Sequence, residues 1–323
     1  MIMALDTSCY TTSVAIMDTA GRLICDVRRP LSVERGCRGL RQSEALFAHI
    51  RNLPGALAEA FAVCPAASLT RIAVSTRPRP ESGSYMPVFT AGASAAETLS
   101  AALRLPLLGL SHQEGHIAAA LWSAGLDWQE PFLACHLSGG TGELLLVTPL
   151  PAAVLPSAPA GRITPACSAA YTIEIIGDCD LPPGQFVDRV GVALGFDFPA
   201  GAALDRLAAT AIKREFRLSG SVQGCSISFS GPESAAQRAI SAGVEPAEIA
   251  AAVFANIGKS LRKAIASARE LHHLRRVLLM GGVAASETLR SCLLRENLAF
   301  ATAAFAGDNA VGLAALSKNI KIG

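Results

Sequence analysis

The chain contains 323 residues, of which 51% are apolar and only 5% aromatic, so its core must be built mainly from alanine, leucine and valine. The formal net charge is +2, and a mean hydropathy of +0.38 raises the question of a membrane protein. The longest uncharged run, residues 144–161, contains four prolines, which excludes a membrane-spanning helix there. No basic leader precedes Asp6, so we expect a soluble, cytoplasmic protein.

The distribution of charge and the spacing of the cysteines exclude few classes of protein. Residues 21–80 carry a net charge of +6 and the rest of the chain carries −4, which is compatible with RNA contact but also typical of arginines on solvated helices. The nine cysteines are dispersed, odd in number and free of any C-x-x-C pair. We therefore expect reduced, buried cysteines rather than a disulfide framework or a zinc ribbon.

The predicted elements alternate between strands and helices. Two short strands flank a polar turn at the start of the chain, and a third strand follows the turn at residues 18–21. Next come a helix from Ser43, as its N-cap, to Phe61, a strand from Arg71 to Ser75, a helix from Thr90 to Leu103 and a strand from Leu107 to Leu110. The proline-rich run 149–165 is predicted to be a linker or a lid.

The strand–turn–strand pattern of the first residues recurs about 130 residues later, around the small-residue turn 138–142. A third glycine turn, residues 281–282, follows a buried strand and precedes a helix that begins near Ser286. Such turns let backbone N–H groups approach a phosphate, although each alone could be an ordinary hairpin turn. Their spacing resembles the actin, sugar kinase and Hsp70 (ASKHA) superfamily.

The fold prediction is therefore a duplicated α/β architecture of the ASKHA type, with a nucleotide cleft between two lobes. We place the N-terminal lobe at residues 1–110 and the C-terminal lobe at residues 111–323. The final helix, after Asp308, is expected to pack back on the N-terminal lobe.

His112 and His116 are the first metal candidates. They follow a predicted strand and lie four residues apart, so a helix would project both side chains from one face. A metalloprotease would need an acid directly after the first histidine, where Gln113 stands. The acid Glu114 comes one residue later, rotated by about 100° around the helix, so protease chemistry loses most of its support.

Asp308 is the best third ligand that the sequence offers, because it lies in a turn of small residues near the C-terminus. Its residue type is equally suited to act as the N-cap of the helix that follows. Both roles stay open at this point.

Eight motifs, in order along nearly the whole chain, resemble the TsaD family of tRNA N6-threonylcarbamoyladenosine transferases, once described as O-sialoglycoprotein endopeptidases. The motifs are TSCYTTSVA from Thr7, GLRQSEALFAH from Gly39, SHQEGHIAAAL from Ser111, LSGGTGEL from Leu137, GQFVDRVGVALGFDFPAGAALDRLA from Gly184, SISFSG from Ser226, MGGVAASETLR from Met280 and GDNAVGLAAL from Gly307.

The resemblance implies transfer of a threonylcarbamoyl group from threonylcarbamoyl-AMP to N6 of the adenosine 3′ of the anticodon in tRNA. It also implies one divalent metal, Fe²⁺ or Zn²⁺, on His112, His116 and Asp308, and a TsaB-like partner protein with an associated ATPase subunit. Asp188 or Asp205 would hold the ribose hydroxyls. The implied substrate- and nucleotide-binding positions are His136, Leu137, Ser138, Gly139, Gly140, Asp188, Gly201, Asp205 and Ser286.

Several positions depart from the family pattern. Tyr10 and Thr11 replace the Asp-Glu pair of the first turn, so no catalytic residue can be assigned there. The other departures are Thr141 for a histidine, Gln185 for a glutamate, Ser286 for an asparagine, Glu233 for a lysine, and a rewritten segment in which Arg77 and Arg79 are candidate phosphate ligands. Two alternatives to the transferase stay open: a paralogue that binds nucleotide as a partner subunit or acts on another acceptor, and, more remotely, a metalloprotease.

Overall fold

Two mixed β-sheets form the centre of the protein. The computed structural model describes residues 1–8, 10–33, 40–81, 83–151, 154–155, 159–165 and 170–322. The strands are β1 Ile2–Asp6, β2 Thr11–Met17, β3 Leu23–Pro30, β4 Arg71–Arg77, β5 Leu107–Ser111, β6 Phe132–Leu137, β7 Gly142–Pro149, β8 Val154–Leu155, β9 Ile163–Pro165, β10 Tyr171–Asp178, β11 Ser221–Gln223, β12 Ser226–Ser228, β13 Val277–Met280, β14 Ala299–Phe300 and β15 Lys321–Ile322.

The helices surround and separate these sheets. They are α1 Gln42–Val63, α2 Phe89–Leu103, α3 His112–Ser123, α4 Pro183–Ala193, α5 Gly201–Ala209, α6 Ser230–Ser241, α7 Pro246–His272, α8 Glu287–Leu293, α9 Ala303–Ala306 and α10 Val311–Asn319, with 3₁₀ turns at Ala66–Ser68 and Gly282–Ala285. None of the helices in the described part of the chain combines the length and apolar character needed to cross a bilayer.

The two sheets share one strand order. The first runs β3-β2-β1-β4-β5-β9 and the second runs β10-β7-β6-β13-β14. In each sheet the central strand, β1 or β6, pairs antiparallel with its hairpin partner on one side and parallel with a later strand on the other. The duplication visible in the two hairpins therefore extends to the pairing of whole sheets.

Alternate side chains along each strand point to opposite faces of its sheet, so the apolar interior is divided into three layers. One face of the first sheet packs against α1 and α2, and one face of the second sheet packs against α4 and α7. The remaining face of each sheet meets the other across α3 and α10, through side chains such as Ala4, Phe132, Ile117 and Leu313. Helices α3 and α10 thus form a central layer between the two sheets.

Two glycines bring α3 and α10 into backbone contact. A Cβ atom on Gly312 would overlap the backbone oxygen of Gly115 and would lie 2.7 Å from the backbone nitrogen of Ala119. Only glycine permits this approach. Because α10 begins three residues after Asp308, the crossing fixes that residue beside the first turn of α3.

The structure corrects two local predictions. Helix α1 begins at Gln42, so Ser43 lies inside the helix and is not its N-cap; the N–H of Arg41 instead donates to the Glu44 carboxylate at 3.0 Å. The run 149–165 is not all linker, because Ile163–Pro165 extends the first sheet beside β5. Residues 152–153 and 156–158 of that run lie outside the described part of the chain.

The lobe boundary at residue 110 stays a prediction. Strand β9, from beyond that residue, joins the first sheet, and α10 packs on β1, β2 and β4 of the same sheet.

Candidate metal centre and nucleotide cleft

A capping box fixes where α3 begins. The Glu114 carboxylate accepts the N–H of Ser111 at 3.0 Å and its hydroxyl at 2.7 Å, while the Ser111 oxygen accepts the N–H of Glu114 at 3.2 Å. The helix consequently starts at His112, and His116 follows one turn later. Because the buried Glu114 carboxylate is engaged in this cap, it cannot serve as the general base of a metalloprotease.

The structure brings His112, His116 and Asp308 together. One ligand atom from each lies within 4.8 Å of the others. Asp308 Oδ1 is 3.6 Å from His112 Nε2 and 3.3 Å from His116 Nε2, and the two imidazole centres are 4.3 Å apart. Asp308 does not cap α10, since the N–H of Val311 donates to Asn309 Oδ1 at 3.0 Å.

Asp6, at the end of β1, orients His112 from behind. Its Oδ2 lies 2.9 Å from His112 Nδ1, and its Oδ1 accepts the Ser75 hydroxyl at 2.6 Å and the N–H of Ser8 at 3.0 Å. This arrangement holds the Nε2 edge of the imidazole toward Asp308. Sequence reasoning missed Asp6, although an acid closing an otherwise apolar strand is a visible signal.

The charges of the cluster are strongly coupled. Burial alone would lower the pKa of His112, but attraction to Asp6 and contacts with Asp308 outweigh it and raise the pKa to about 10. Burial would raise the pKa of Asp308, yet its polar contacts with both histidines hold it below the usual range. Burial and the neighbouring charge of His112 lower the pKa of His116. Two carboxylates and two imidazoles therefore lie together in one buried site, and a metal bound there would displace the proton from His112.

The donor set fits a divalent transition metal. Within the described residues, the buried His116 Nε2 has no hydrogen-bond partner, since its approach to Asp308 lacks hydrogen-bond geometry. Two imidazole nitrogens and one carboxylate oxygen are ligands that Fe²⁺ and Zn²⁺ accept.

A cavity of about 430 Å³ extends from this cluster between the lobes. Asp308 lies in its wall together with the turns predicted to hold phosphate, so the cluster reaches this space through Asp308. The predicted binding positions in the wall are Ser138, Gly139, Asp188, Gly201, Asp205 and Ser286. His136 and Leu137 are buried in β6 behind the turn, and Gly140 is exposed at its tip.

The turn after β6 presents bare backbone to the cavity. It is closed by the N–H of Ser138, which donates to the Thr141 carbonyl at 2.8 Å, and by the N–H of Thr141, which donates to Ser138 Oγ at 3.0 Å. Gly184 packs beneath it and donates its N–H to the Ser138 carbonyl at 3.0 Å. A Cβ on Gly139 or Gly140 would meet open space, so a ligand can approach there.

Asp188 and Asp205 both anchor backbone at the cavity wall. Asp188 accepts the N–H of Ala200 at 2.8 Å, just before α5. Asp205 accepts the Ser286 hydroxyl at 2.8 Å and the N–H of Glu287 at 2.9 Å, at the start of α8. Ribose binding by either carboxylate stays a prediction, and the structure assigns both a scaffolding role.

Two contacts span the cleft at positions where the chain departs from the family pattern. The Tyr10 ring meets the Phe198 ring edge to face, with centres 5.8 Å apart. Arg79, from the rewritten segment, pairs with Glu143 on β7, whose other oxygen accepts Gln113 Nε2 at 3.0 Å. Sequence reasoning did not anticipate Glu143 or Gln113.

The other substituted positions have local partners. Arg77 Nη1 donates to Thr76 Oγ1 at 3.2 Å. Gln185 accepts Arg189 Nη2 at 3.2 Å, and Glu233 accepts Gln237 Nε2 at 3.0 Å, each one helical turn along the same helix.

The duplicated sheets, with a cleft between them lined by glycine turns, give the chain the two-lobed ASKHA fold. Three solved structures share the fold: the activator of 2-hydroxyisocaproyl-CoA dehydratase from Clostridium difficile (TM-score 0.52, 13% identity, 98% of this chain and 93% of that one), HypF from T. kodakarensis (0.56, 17%, 98% and 48%) and a ROK family glucokinase from Streptomyces griseus (0.51, 11%, 98% and 98%). The fold prediction is confirmed.

The chain belongs to the TsaD family. The family's sequence model, described as tRNA N6-adenosine threonylcarbamoyltransferase, matches residues 35–155 and 147–315. Curated relatives with that name include proteins from Sulfurihydrogenibium (28% identity, 90% of this chain and 80% of the relative), Aromatoleum aromaticum (29%, 90% and 81%) and Streptococcus suis (28%, 98% and 92%). The predicted family is therefore confirmed.

Proposed function

We propose that this protein is a tRNA N6-adenosine threonylcarbamoyltransferase, which moves the threonylcarbamoyl group from threonylcarbamoyl-AMP to N6 of the adenosine 3′ of the anticodon. The observation that carries this proposal is the cluster of His112, His116 and Asp308 at the end of a cavity lined by the Ser138-Gly139 turn. Relatives matched over nine tenths of the chain bear the name of this activity.

His112, His116 and Asp308 would hold a divalent metal, with Fe²⁺ and Zn²⁺ as the candidates. Such a metal supplies Lewis-acid polarisation of the threonylcarbamoyl carbonyl. Asp6 keeps the His112 imidazole oriented for this role through its contact with Nδ1.

The glycine turn would hold the nucleotide end of the substrate. Backbone N–H groups at Gly139 and Gly140 can face the phosphate, because no side chain stands in front of them. In the transfer, the N6 amine bonds to the carbamoyl carbon, the bond from that carbon to the phosphate oxygen breaks, and AMP leaves with the electron pair. Donors at the turn stabilise the negative charge that AMP carries away.

The two alternatives have less support. The relatives are named transferases, which does not favour a paralogue that only binds nucleotide. The metalloprotease alternative loses the general base that the sequence offered, because Glu114 is enclosed in the N-terminal cap of α3. Tyr10 and Thr11 leave the first turn without the acid pair of the family pattern, so the proton from N6 must be taken by another group.

tRNA is the proposed macromolecular substrate, and a TsaB-like protein and an ATPase subunit are proposed as partners. The net positive charge of residues 21–80 supports contact with RNA from the N-terminal half.

The direct test is transfer by the purified protein, alone and with the TsaB-like and ATPase proteins of the same organism. Threonylcarbamoyl-AMP and an unmodified tRNA are supplied, and the modified nucleoside is measured by mass spectrometry after digestion. We expect product on a tRNA with adenosine 3′ of the anticodon and none when guanosine replaces that adenosine. His112→Ala should lower the rate by a factor of about 10² or more.

A second comparison concerns the altered first turn. The double variant Tyr10→Asp/Thr11→Glu restores the family's acid pair and should transfer at least as fast as the natural chain. Transfer by the double variant together with none by the natural chain, at equal metal content, would contradict the proposed activity and favour the nucleotide-binding paralogue.

A further inference from the structure

His136 occupies a position on β6 that faces the metal centre. Alternate residues of this strand point to opposite faces, and Phe132 and Ala134 pack in the same cluster as Ile117 of α3. His136 continues that face at the end of the strand nearest the glycine turn. Its side chain is therefore directed toward the first turns of α3, between the two sheets.

The imidazole of His136 is buried and, among the described residues, has no hydrogen-bond partner at either ring nitrogen. Only 4% of the residue is exposed, so bulk water cannot satisfy the ring. Glu143, directly opposite on β7, is already engaged by Arg79 and Gln113. Met280, opposite on β13, offers only a thioether. Burying two unpaired polar atoms costs free energy that a leucine at this position would avoid.

Position explains why a histidine stands here. The ring centre of His136 lies 4.7 Å from that of His116, which lies 4.3 Å from that of His112. The three imidazoles thus form a row, with Asp308 contacting the first two. His116 Nε2, in the middle of the row, has no hydrogen-bond partner within the described residues either. Unpaired, buried nitrogens on neighbouring imidazole rings are typical of a metal site that supplies their missing partner.

We propose that His136 is a third imidazole ligand of the metal centre, so that the donor set is three nitrogens and one carboxylate oxygen. This inference rests on the metal centre of the proposed function and not on the transfer reaction. One ring nitrogen of a neutral imidazole carries the lone pair that binds the metal. His136 then belongs to the metal centre and not to the nucleotide site that the sequence motif implied.

The test is Co²⁺ binding to the metal-free, full-length protein, followed through the visible absorption of the bound ion. His136→Leu and His136→Gln should weaken Co²⁺ binding at least tenfold and change the shape of the spectrum. His49→Gln is the matched control, because His49 is also buried but contacts Thr12 at 2.8 Å on the other side of the first sheet. It should leave affinity and spectrum unchanged, and His112→Ala should weaken binding strongly.

A measurement on the unmutated protein guards against variants that fail to fold. X-ray absorption at the zinc edge of the Zn²⁺-loaded protein counts imidazole ligands, and we expect three. Two imidazoles, or unchanged Co²⁺ affinity and spectrum in both His136 variants, would overturn the inference while leaving the metal centre intact. A natural chain that binds no metal overturns the inference together with the metal centre. Neither readout depends on transfer, so loss of transfer alone contradicts only the proposed activity.

Discussion

The two hairpin turns that face the cleft occupy equivalent places in their sheets but differ in what they present. The first is held by side-chain hydrogen bonds, and the second exposes its backbone. In the first, side chains point inward: Thr7 donates its hydroxyl to the Val88 carbonyl at 2.9 Å, and Ser8 donates its hydroxyl to Asp6 at 3.0 Å. In the second, Gly139 and Gly140 leave the backbone uncovered. The first turn therefore supports the proposed metal ligand His112 through Asp6, whereas the second leaves its own N–H groups open to a ligand.

Each turn has a buried acid beside it, Asp6 at the first and Glu143 at the second, and the pKa values of these two acids are shifted in opposite directions. Burial would raise the pKa of Asp6, but attraction to His112 and hydrogen bonds from that residue and Ser75 lower it overall. Burial raises the pKa of Glu143, and its contacts with Arg79 and Gln113 offset this only in part. One hairpin carries an acid that favours its charged form, and the other carries an acid that burial pushes toward neutrality.

Removing the acid behind the first turn should give the largest effect. Asp6→Ala removes the nearer of the two carboxylates that contact the buried His112, and we expect a loss of about 3–5 kcal/mol in the free energy of unfolding. Metal affinity should fall by about 10–100-fold, because His112 loses the contact that orients it. Urea unfolding and Zn²⁺ titration measure the two effects. Asp6→Asn retains an acceptor oxygen, so its stability and Zn²⁺ affinity should lie between those of the natural chain and of Asp6→Ala. An unchanged Zn²⁺ affinity in both variants would contradict the orienting role.

Crowding the second turn should have the next largest effect. In Gly184→Ala the new methyl group would lie 2.5 Å from the Gly139 nitrogen and from the Ser138 oxygen, so the turn must shift. We expect the free energy of unfolding, measured by heat or urea, to fall by about 1–3 kcal/mol. AMP should also bind more weakly, because the displaced turn lies in the cavity wall. Gly201→Ala is the matched control, since its methyl group would meet only Val187 at 3.8 Å. Equal stability of the two variants would show that the turn is not held from below.

A methyl group on the open side of the same turn should separate binding from stability. A Cβ on Gly139 has no neighbour within 4 Å, so Gly139→Ala should change the free energy of unfolding by less than about 1 kcal/mol. The methyl group would nevertheless occupy the cavity wall, and we expect AMP binding to weaken by about tenfold. Calorimetric titration with AMP decides this, and unchanged affinity would place the phosphate elsewhere.

The smallest expected effect is a pH dependence at Glu143. Because its pKa is raised in the folded state, the folded protein holds this proton more tightly than the unfolded chain, and stability is lost as the pH rises from the ordinary value of 4.5 through the raised one. Glu143→Gln cannot titrate, so its stability relative to the natural chain should rise between about pH 4 and pH 7. Urea unfolding at both pH values checks the sign, and a relative fall would mean that the Arg79 pair outweighs burial.

How far local patterns could predict the site depended on distance along the chain, and the distant Asp308 was found only through its small-residue turn and the family resemblance. His112 and His116 follow from a spacing of four on one helix, and Ser111 with Glu114 forms a local cap. The contact of Asp6 with His112 joins residues 106 apart, and that of Arg79 with Glu143 joins residues 64 apart. No local pattern encodes such pairs, because they exist only once strands from distant segments have paired. The prediction of Ser43 as the N-cap of α1 was wrong for a local reason, because the Glu44 carboxylate and not a serine hydroxyl accepts the N–H of Arg41.

The fold was more predictable than the site because the hairpins repeat. Two strand–turn–strand units sufficed to predict duplication, and glycine turns after buried strands sufficed to place a cleft. The edge strand Ile163–Pro165 was missed, because a proline-rich surrounding hides a three-residue strand whose partner lies more than 50 residues away.

The backbone contact between Gly115 and Gly312 fixes the distance between helices α3 and α10. Two of the proposed metal ligands, His112 and His116, belong to α3, and Asp308 precedes α10, so the separation of these three side chains is set where the two helices touch, in the layer between the sheets. The outer helices α1, α2, α4 and α7 carry none of these three side chains. The dimensions of the cluster therefore depend on one crossing of two helices, and a substitution that pushed the two glycine backbones apart would also move Asp308 away from His112 and His116.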